Sequence, residues 1–135
     1  MSMAMVKAFA YGAGSHEVAN LLQYHGVDYL GVAYADEGVE LRRQGIQTPI
    51  MVMNPSSEDF ERILDYQLEP EIYSLDLLRS FQEFCMQKGV KQGIHIKLDT
   101  GMHRLGFDAS EIKALALQHH QYPLPIVSVF SHLAS

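Results

Sequence analysis

The stretch Leu75-Asp76-Leu77-Leu78-Arg79-Ser80-Phe81-Gln82-Glu83-Phe84-Cys85-Met86-Gln87-Lys88-Gly89-Val90-Lys91-Gln92-Gly93-Ile94-His95-Ile96-Lys97-Leu98 reads as a helix followed at once by a strand. Leu75, Leu78, Phe81 and Cys85 recur at helical spacing, Gly89 fits the helix end, and Gly93 to Leu98 is an apolar run of strand length. The same alternation extends in both directions. Apolar runs at Met3–Ala10, Tyr29–Tyr34, Pro49–Met53, Glu71–Tyr73 and Ile126–Phe130 bring the candidate strands to six. Between them, Val18, Leu21, Leu22 and His25 have helical spacing and are closed by Gly26. Phe60, Ile63 and Leu64 follow a capping-box pattern, Ser56-Ser57-Glu58-Asp59, and Ile112, Leu115 and Ala116 follow a start near Asp108 and Ser110. Gly45 fits a further helix end.

Strands alternating with helices imply right-handed crossovers and a parallel sheet covered on both faces. An open doubly wound sheet and a barrel share this pattern. The chain has no glycine fingerprint for a dinucleotide, which favours the barrel. The fold expected is therefore α/β, an incomplete (βα)8 TIM-type barrel of about six parallel units spread over residues 1–135 as one domain.

Composition narrows the function classes. With 47% hydrophobic and 19% charged residues in 135, the chain has the balance of an ordinary globular domain, so packing must supply the fold. Ten basic residues against sixteen acidic ones give a formal charge of -6, and the basic ones are scattered, which argues against a nucleic-acid partner. A single cysteine, Cys85, allows no intrachain disulfide; it reads as a buried core thiol and points to a reducing compartment. No apolar run reaches the roughly 20 residues of a membrane helix, and Met1–Met5 has neither the charged start nor the long apolar stretch of a signal peptide. A cytoplasmic protein without a membrane partner is expected.

Several residues could carry chemistry, each with a packing alternative. Lys7 interrupts an apolar strand and precedes the Tyr11-Gly12-Ala13-Gly14 loop. A desolvated lysine loses basicity and exposes a nucleophilic amine, suited to capturing an aldehyde. The alternative is an edge-strand lysine whose stem packs while its ammonium reaches water. In Ile94-His95-Ile96-Lys97-Leu98-Asp99, period-two alternation puts His95, Lys97 and Asp99 on one face. The glycine-rich turn Thr100-Gly101-Met102-His103-Arg104-Leu105-Gly106 follows at the strand's C-terminal end, where parallel barrels carry their sites. The competing reading is a structural charge network in which Lys97, Asp99 and Arg104 satisfy one another. His132, after the strand Ile126–Phe130, shares a face with Ser128 and Phe130 and reads equally as a core histidine or a site residue. His119 and His120 close a helix, where imidazoles suit the terminal carbonyls; no carboxylate or thiolate clusters with them, so no metal is expected.

Taken in order, Met5-Val6-Lys7-Ala8-Phe9-Ala10-Tyr11-Gly12-Ala13-Gly14, Lys97-Leu98-Asp99-Thr100-Gly101-Met102-His103-Arg104-Leu105-Gly106-Phe107 and Phe130-Ser131-His132-Leu133-Ala134-Ser135 closely resemble successive barrel motifs of the bacterial alanine racemase family. Tyr34 to Ile46, followed by Pro49–Met53, resembles the family's second unit and third strand. The resemblance implies a pyridoxal-phosphate-dependent isomerase that interconverts L- and D-alanine for peptidoglycan synthesis. It implies that Lys7 is the catalytic residue, bonding the cofactor and moving a proton on one face of the substrate. Tyr11 would contact the cofactor phosphate, Arg104 its phenolic oxygen, and His132 would stand behind the ring. Lys97 matches a lysine carbamylated in many of these enzymes and paired with the arginine, with His95 and Asp99 in support.

The chain departs from the pattern at Ala13, usually histidine. Together with Phe9, this resembles the racemase half of fusions with the muramoyl-tripeptide D-alanyl-D-alanine ligase. Missing against the family pattern are the last barrel units, an arginine for the pyridine nitrogen, the main phosphate-binding glycine segment and the C-terminal β domain. That domain supplies an opposing tyrosine across a homodimer. The 135 residues alone are therefore expected to be weakly active or inactive, and to self-associate through unpaired strand edges. Two other readings are a non-catalytic pyridoxal-phosphate-binding barrel and a domain serving structure or assembly only.

Overall fold

The structure is a computed structural model, and it describes residues 3–5, 17, 20, 21, 23–98, 107 and 109–131. The strands are β1 (Met3–Met5), β2 (Tyr29–Val32), β3 (Ile50–Val52), β4 (Glu69–Ile72), β5 (Ile94–Leu98) and β6 (Ile126–Ser131). The helices with named bounds are α1 (Ala35–Arg43), α2 (Phe60–Asp65), α3 (Leu75–Lys88) and α4 (Ile112–Gln121). Every strand pairs in parallel with the next one in sequence. A doubly wound sheet has a point where the strand order reverses, whereas a βα barrel adds strands in sequence. The observed order is the barrel's.

The chain divides into two units, Met1–Pro70 and Glu71–Ser135. In the first, Leu30 pairs with Ile50 and Val32 with Val52, and Met51 pairs with Glu69 at the start of β4. Leu30, Val32, Ile50 and Val52 are all fully buried, as expected of parallel strands covered on both faces. Gly38 on α1 lets the helix lie close: a Cβ there would come within 3.0 Å of the Leu68 side chain. Gly45 ends α1 with φ +94, a left-handed conformation that suits glycine. Arg42 at the end of α1 donates to the carbonyls of Ile46 (2.9 Å) and Thr48 (2.7 Å), and to those of Tyr66 (2.9 Å) and Gln67 (3.3 Å) beyond α2. The Ser56–Asp59 capping pattern is present, with the Ser56 N–H donating to Asp59 Oδ2 at 3.1 Å, and it opens a 3-10 turn that leads into α2.

Among the described residues before Gly26, Glu17, Asn20, Leu21, Gln23 and Tyr24 are helical as the spacing predicts, while His25 is exposed and Leu21 keeps 57% of its surface. The residue that turns inward is Gln23, whose Oε1 accepts from the Gln47 N–H (2.7 Å), the Thr48 N–H (2.9 Å) and the Thr48 hydroxyl (3.0 Å). Thr48 is buried, so its N–H and hydroxyl would be costly to leave unpaired. Val18 and Leu22 lie outside the described residues.

In the second unit, Ser74 caps α3 by accepting from the Leu77 N–H (3.1 Å), and Gly89 ends it at φ +70. Leu78, Phe81 and Cys85 are fully buried along one face, so Cys85 is the core thiol expected, and burial pushes its thiol pKa up. Helix α4 forms where the spacing of Ile112, Leu115 and Ala116 predicts it; Ile112 is 43% exposed, Ala116 is exposed, and none of its residues is buried. A polar clasp holds α4 to α3 in place of an apolar stripe. Gln82 Nε2 donates to the carbonyls of Gln118 (3.0 Å) and Tyr122 (3.1 Å), and Gln118 Nε2 returns a bond to Gln82 Oε1 (2.7 Å).

Candidate functional site

Strand register builds the site. Glu71 on β4 pairs with His95 on β5, and His95 pairs with Ser128 on β6. In adjoining parallel strands, paired residues point to the same face. Ile94 pairs with Ile126 but His95 with Ser128, so β6 carries one extra residue, Val127, at this point. That bulge brings a hydroxyl rather than a valine beside the histidine. Further along the same face, Lys97 pairs with Phe130. The result is a row of carboxylate, imidazole and hydroxyl, with an ammonium one step toward the strands' C-terminal ends.

His95 is fully buried, and its Nδ1 lies 2.6 Å from Ser128 Oγ; the tautomer decides which of the two donates. Lys97 Nζ lies 3.7 Å from Glu71 Oε1, with the carboxylate side chain 4% exposed and that of the lysine 22% exposed. Burial pushes the Glu71 carboxyl pKa up, opposed by the Lys97 and His95 charges and by the Lys97 hydrogen bond. A carboxylate held this far from water is costly unless a cation compensates it, and Lys97 is placed to do so. Phe107 is fixed nearby: its N–H donates to the Lys97 carbonyl at 2.9 Å, and it bridges to Leu98 in a parallel pairing.

Of the residues singled out from sequence, the structure brings His95 and Lys97 to one face. Lys7, Tyr11, Asp99, Arg104 and His132 lie outside the described residues. The partner described for Lys97 is Glu71 on the neighbouring strand. Sequence reasoning missed Glu71, reading it only as the start of a strand. The signal was present: an acidic residue in the apolar run Glu71-Ile72-Tyr73 is the same anomaly that drew attention to Lys7. His119 also sits differently from expectation, with Nε2 2.8 Å from the Leu124 carbonyl in the loop beyond α4. Among the described residues, no helix is long and apolar enough to cross a membrane.

Comparison with known proteins agrees with this topology. The family model "Alanine racemase, N-terminal domain" matches residues 1–135. The chain is 34% identical over 136 residues to the alanine racemase of Helicobacter pylori strain J99, covering 98% of this chain and 36% of that one. It is similar to the solved alanine racemase of Clostridium difficile 630 with a TM-score of 0.88 at 34% identity, again over 98% of this chain and 36% of the other. It also resembles the Bartonella henselae alanine racemase, solved with covalently bound pyridoxal phosphate, with a TM-score of 0.85 at 28% identity over 99% of this chain and 40% of that one. The fold class is thus an incomplete (βα)8 barrel, and the chain spans just over a third of the length of the relatives it matches. The chain belongs to the alanine racemase N-terminal domain family.

Proposed function

We propose that this chain is the cofactor-binding part of a pyridoxal-phosphate-dependent alanine racemase, and that the reaction belongs to the whole protein. What carries the reading is the family match along residues 1–135, supported by an ionisable row on the face that would border the site. The described set is compatible with a polar group nearby: an imidazole, an ammonium and a carboxylate on adjoining strands, toward the C-terminal ends where barrel sites lie. The groups that would hold the cofactor itself are Lys7, Tyr11, Arg104 and His132.

Bound pyridoxal phosphate supplies the electron sink that makes the α proton of alanine acidic. This chain's residues would hold that group and supply one of the two bases. Lys7 would be the residue that anchors the cofactor and carries a proton on one face of the substrate. By the family resemblance, Tyr11 would help hold the cofactor phosphate, Arg104 would serve its phenolic oxygen, and His132 would support the ring. Phe107, close to Arg104 in the chain, is tied to the Lys97 carbonyl, which supports a shared role for Arg104 and Lys97. His95, locked to Ser128, would orient that end of β5, and Asp99 would lend support there. The base for the opposite substrate face comes from outside these residues, across a homodimer. D-alanine made this way in the cytoplasm would feed peptidoglycan synthesis.

The test is an absorption spectrum of the protein with pyridoxal phosphate, followed by borohydride reduction and peptide mapping. A reduced adduct on Lys7, lost in Lys7→Ala, is expected. Labelling spread over surface lysines, with none on Lys7, would remove the cofactor from the reading.

A further inference from the structure

We propose that Glu71 is a positioning residue that keeps Lys97 a free ammonium, so that Lys97 in this chain carries no carbamate. The inference deepens the racemase reading by settling the charge state of one residue of its site. Its test uses no cofactor, so the two can fail separately.

The geometry comes first. Glu71 pairs in register with His95, and Lys97 lies one step further along the same face of β5. This puts Lys97 Nζ 3.7 Å from Glu71 Oε1. Neither group is well solvated, with side-chain exposures of 22% for the lysine and 4% for the glutamate. At such a contact opposite charges are screened far less than at the surface. On β6, the neighbouring polar group is the Ser128 hydroxyl, which bonds His95.

The chemistry follows. A lysine carbamate forms when the neutral amine attacks carbon dioxide. A nitrogen–carbon bond forms, the π pair of one carbon–oxygen bond moves onto oxygen, and a proton leaves the nitrogen for water. Glu71 opposes this twice over. Forming the carbamate would forfeit the ammonium–carboxylate contact at 3.7 Å. The product would place a second carboxylate against the first in a buried contact, where like charges are strongly unfavourable. Lys97 with Glu71 forms a neutral pair; the carbamate with Glu71 would carry two negative charges. The anion that a carbamate would add to this face is already supplied by the strand beside it.

Carbon-13 NMR of the full chain in 13C-bicarbonate at mildly alkaline pH tests this directly. The expected result is no carbamate resonance in the wild type, and one appearing in Glu71→Gln that is lost again when Lys97→Arg is added. A shorter carboxylate, Glu71→Asp, should suppress the signal again. A lysine-selective 15N spectrum should show Lys97 Nζ, assigned by its loss in Lys97→Arg, as an ammonium. A wild-type carbamate resonance that vanishes in Lys97→Arg would overturn the proposal. So would a folded Glu71→Gln protein that takes up no carbon dioxide, since Glu71 would then not be what protects the lysine. If Glu71→Gln does not fold, the two wild-type spectra decide the matter.

Discussion

His95 and Ser128 show how much a single atom can fix at the site. Nδ1 of a fully buried imidazole has its hydroxyl partner at 2.6 Å, and the partner is there only because β6 carries an extra residue. Ser128→Ala removes that partner and should cost about 1–3 kcal/mol of stability, the usual penalty for orphaning a buried polar group. Ser128→Thr keeps the hydroxyl and should lose less. Urea denaturation of the two variants checks this, and an alanine variant as stable as the wild type would show the bond to be dispensable. Tyr29 offers a second measurement. Burial, and then the hydrogen bond and charge of Glu69, push its phenol up to about 12 from an ordinary 10.0. Because the folded pKa is the higher one, the stability gained from a neutral Tyr29 is fully present below pH 10.0. It is lost as pH climbs through about 12. Tyrosinate absorbance, taken as the difference from Tyr29→Phe, should show this late titration, and Glu69→Gln should bring it back toward the ordinary value.

Elements hold their places here through their ends as much as their faces. Arg42 gathers four carbonyls, two from the loop after α1 and two from the turn after α2, and burial lowers its pKa. A guanidinium can satisfy four acceptors with one planar fork, which an ammonium cannot. Arg42→Ala should therefore cost about 2–4 kcal/mol, and Arg42→Lys should recover only part of it. Thermal or urea unfolding that finds lysine fully equivalent would mean the cation matters and the fork does not. The glycines at such ends were readable from sequence, since Gly26, Gly45 and Gly89 all take positive φ where the helical spacing stops. So were the cores of the six strands, whose apolar runs overlap the observed ones throughout. What could not be read was where a polar contact holds an element. Helical spacing around Leu21 and in α4 was legible, but not that Gln23 holds the Thr48 loop or that Gln82 and Gln118 clasp α4 to α3. Periodicity records where apolar residues recur and is silent on which amide finds three donors. The bulge at Val127 escaped for a similar reason: register belongs to the pair of strands, and β6 alone does not encode it.

At the scale of the molecule, fold and site were legible to different depths. Strand–helix alternation left two architectures open, and the sequential pairing of β1 to β6 selects the barrel because no reversal of order occurs. For the site, the alternation in Ile94–Leu98 found His95 and Lys97 from one strand, while Glu71 required the neighbouring strand to be set beside them. The reaction asks for more than this face can give. Racemisation needs proton transfer on both sides of the α carbon, and in the proposed reading Lys7 would serve only one of them. The chain also matches only 36% of the length of the Helicobacter pylori relative. A polypeptide of these 135 residues should therefore bind pyridoxal phosphate more readily than it turns over alanine. Its D-alanine production, measured with D-amino acid oxidase, should stay near the rate of free cofactor and be little changed by Lys7→Ala. The full-length protein should be active, and the same substitution should abolish its activity. Rapid turnover by the 135-residue polypeptide that depends on Lys7 would mean that these residues supply the second base as well, and the search for it would move to the tyrosines and histidines of this chain.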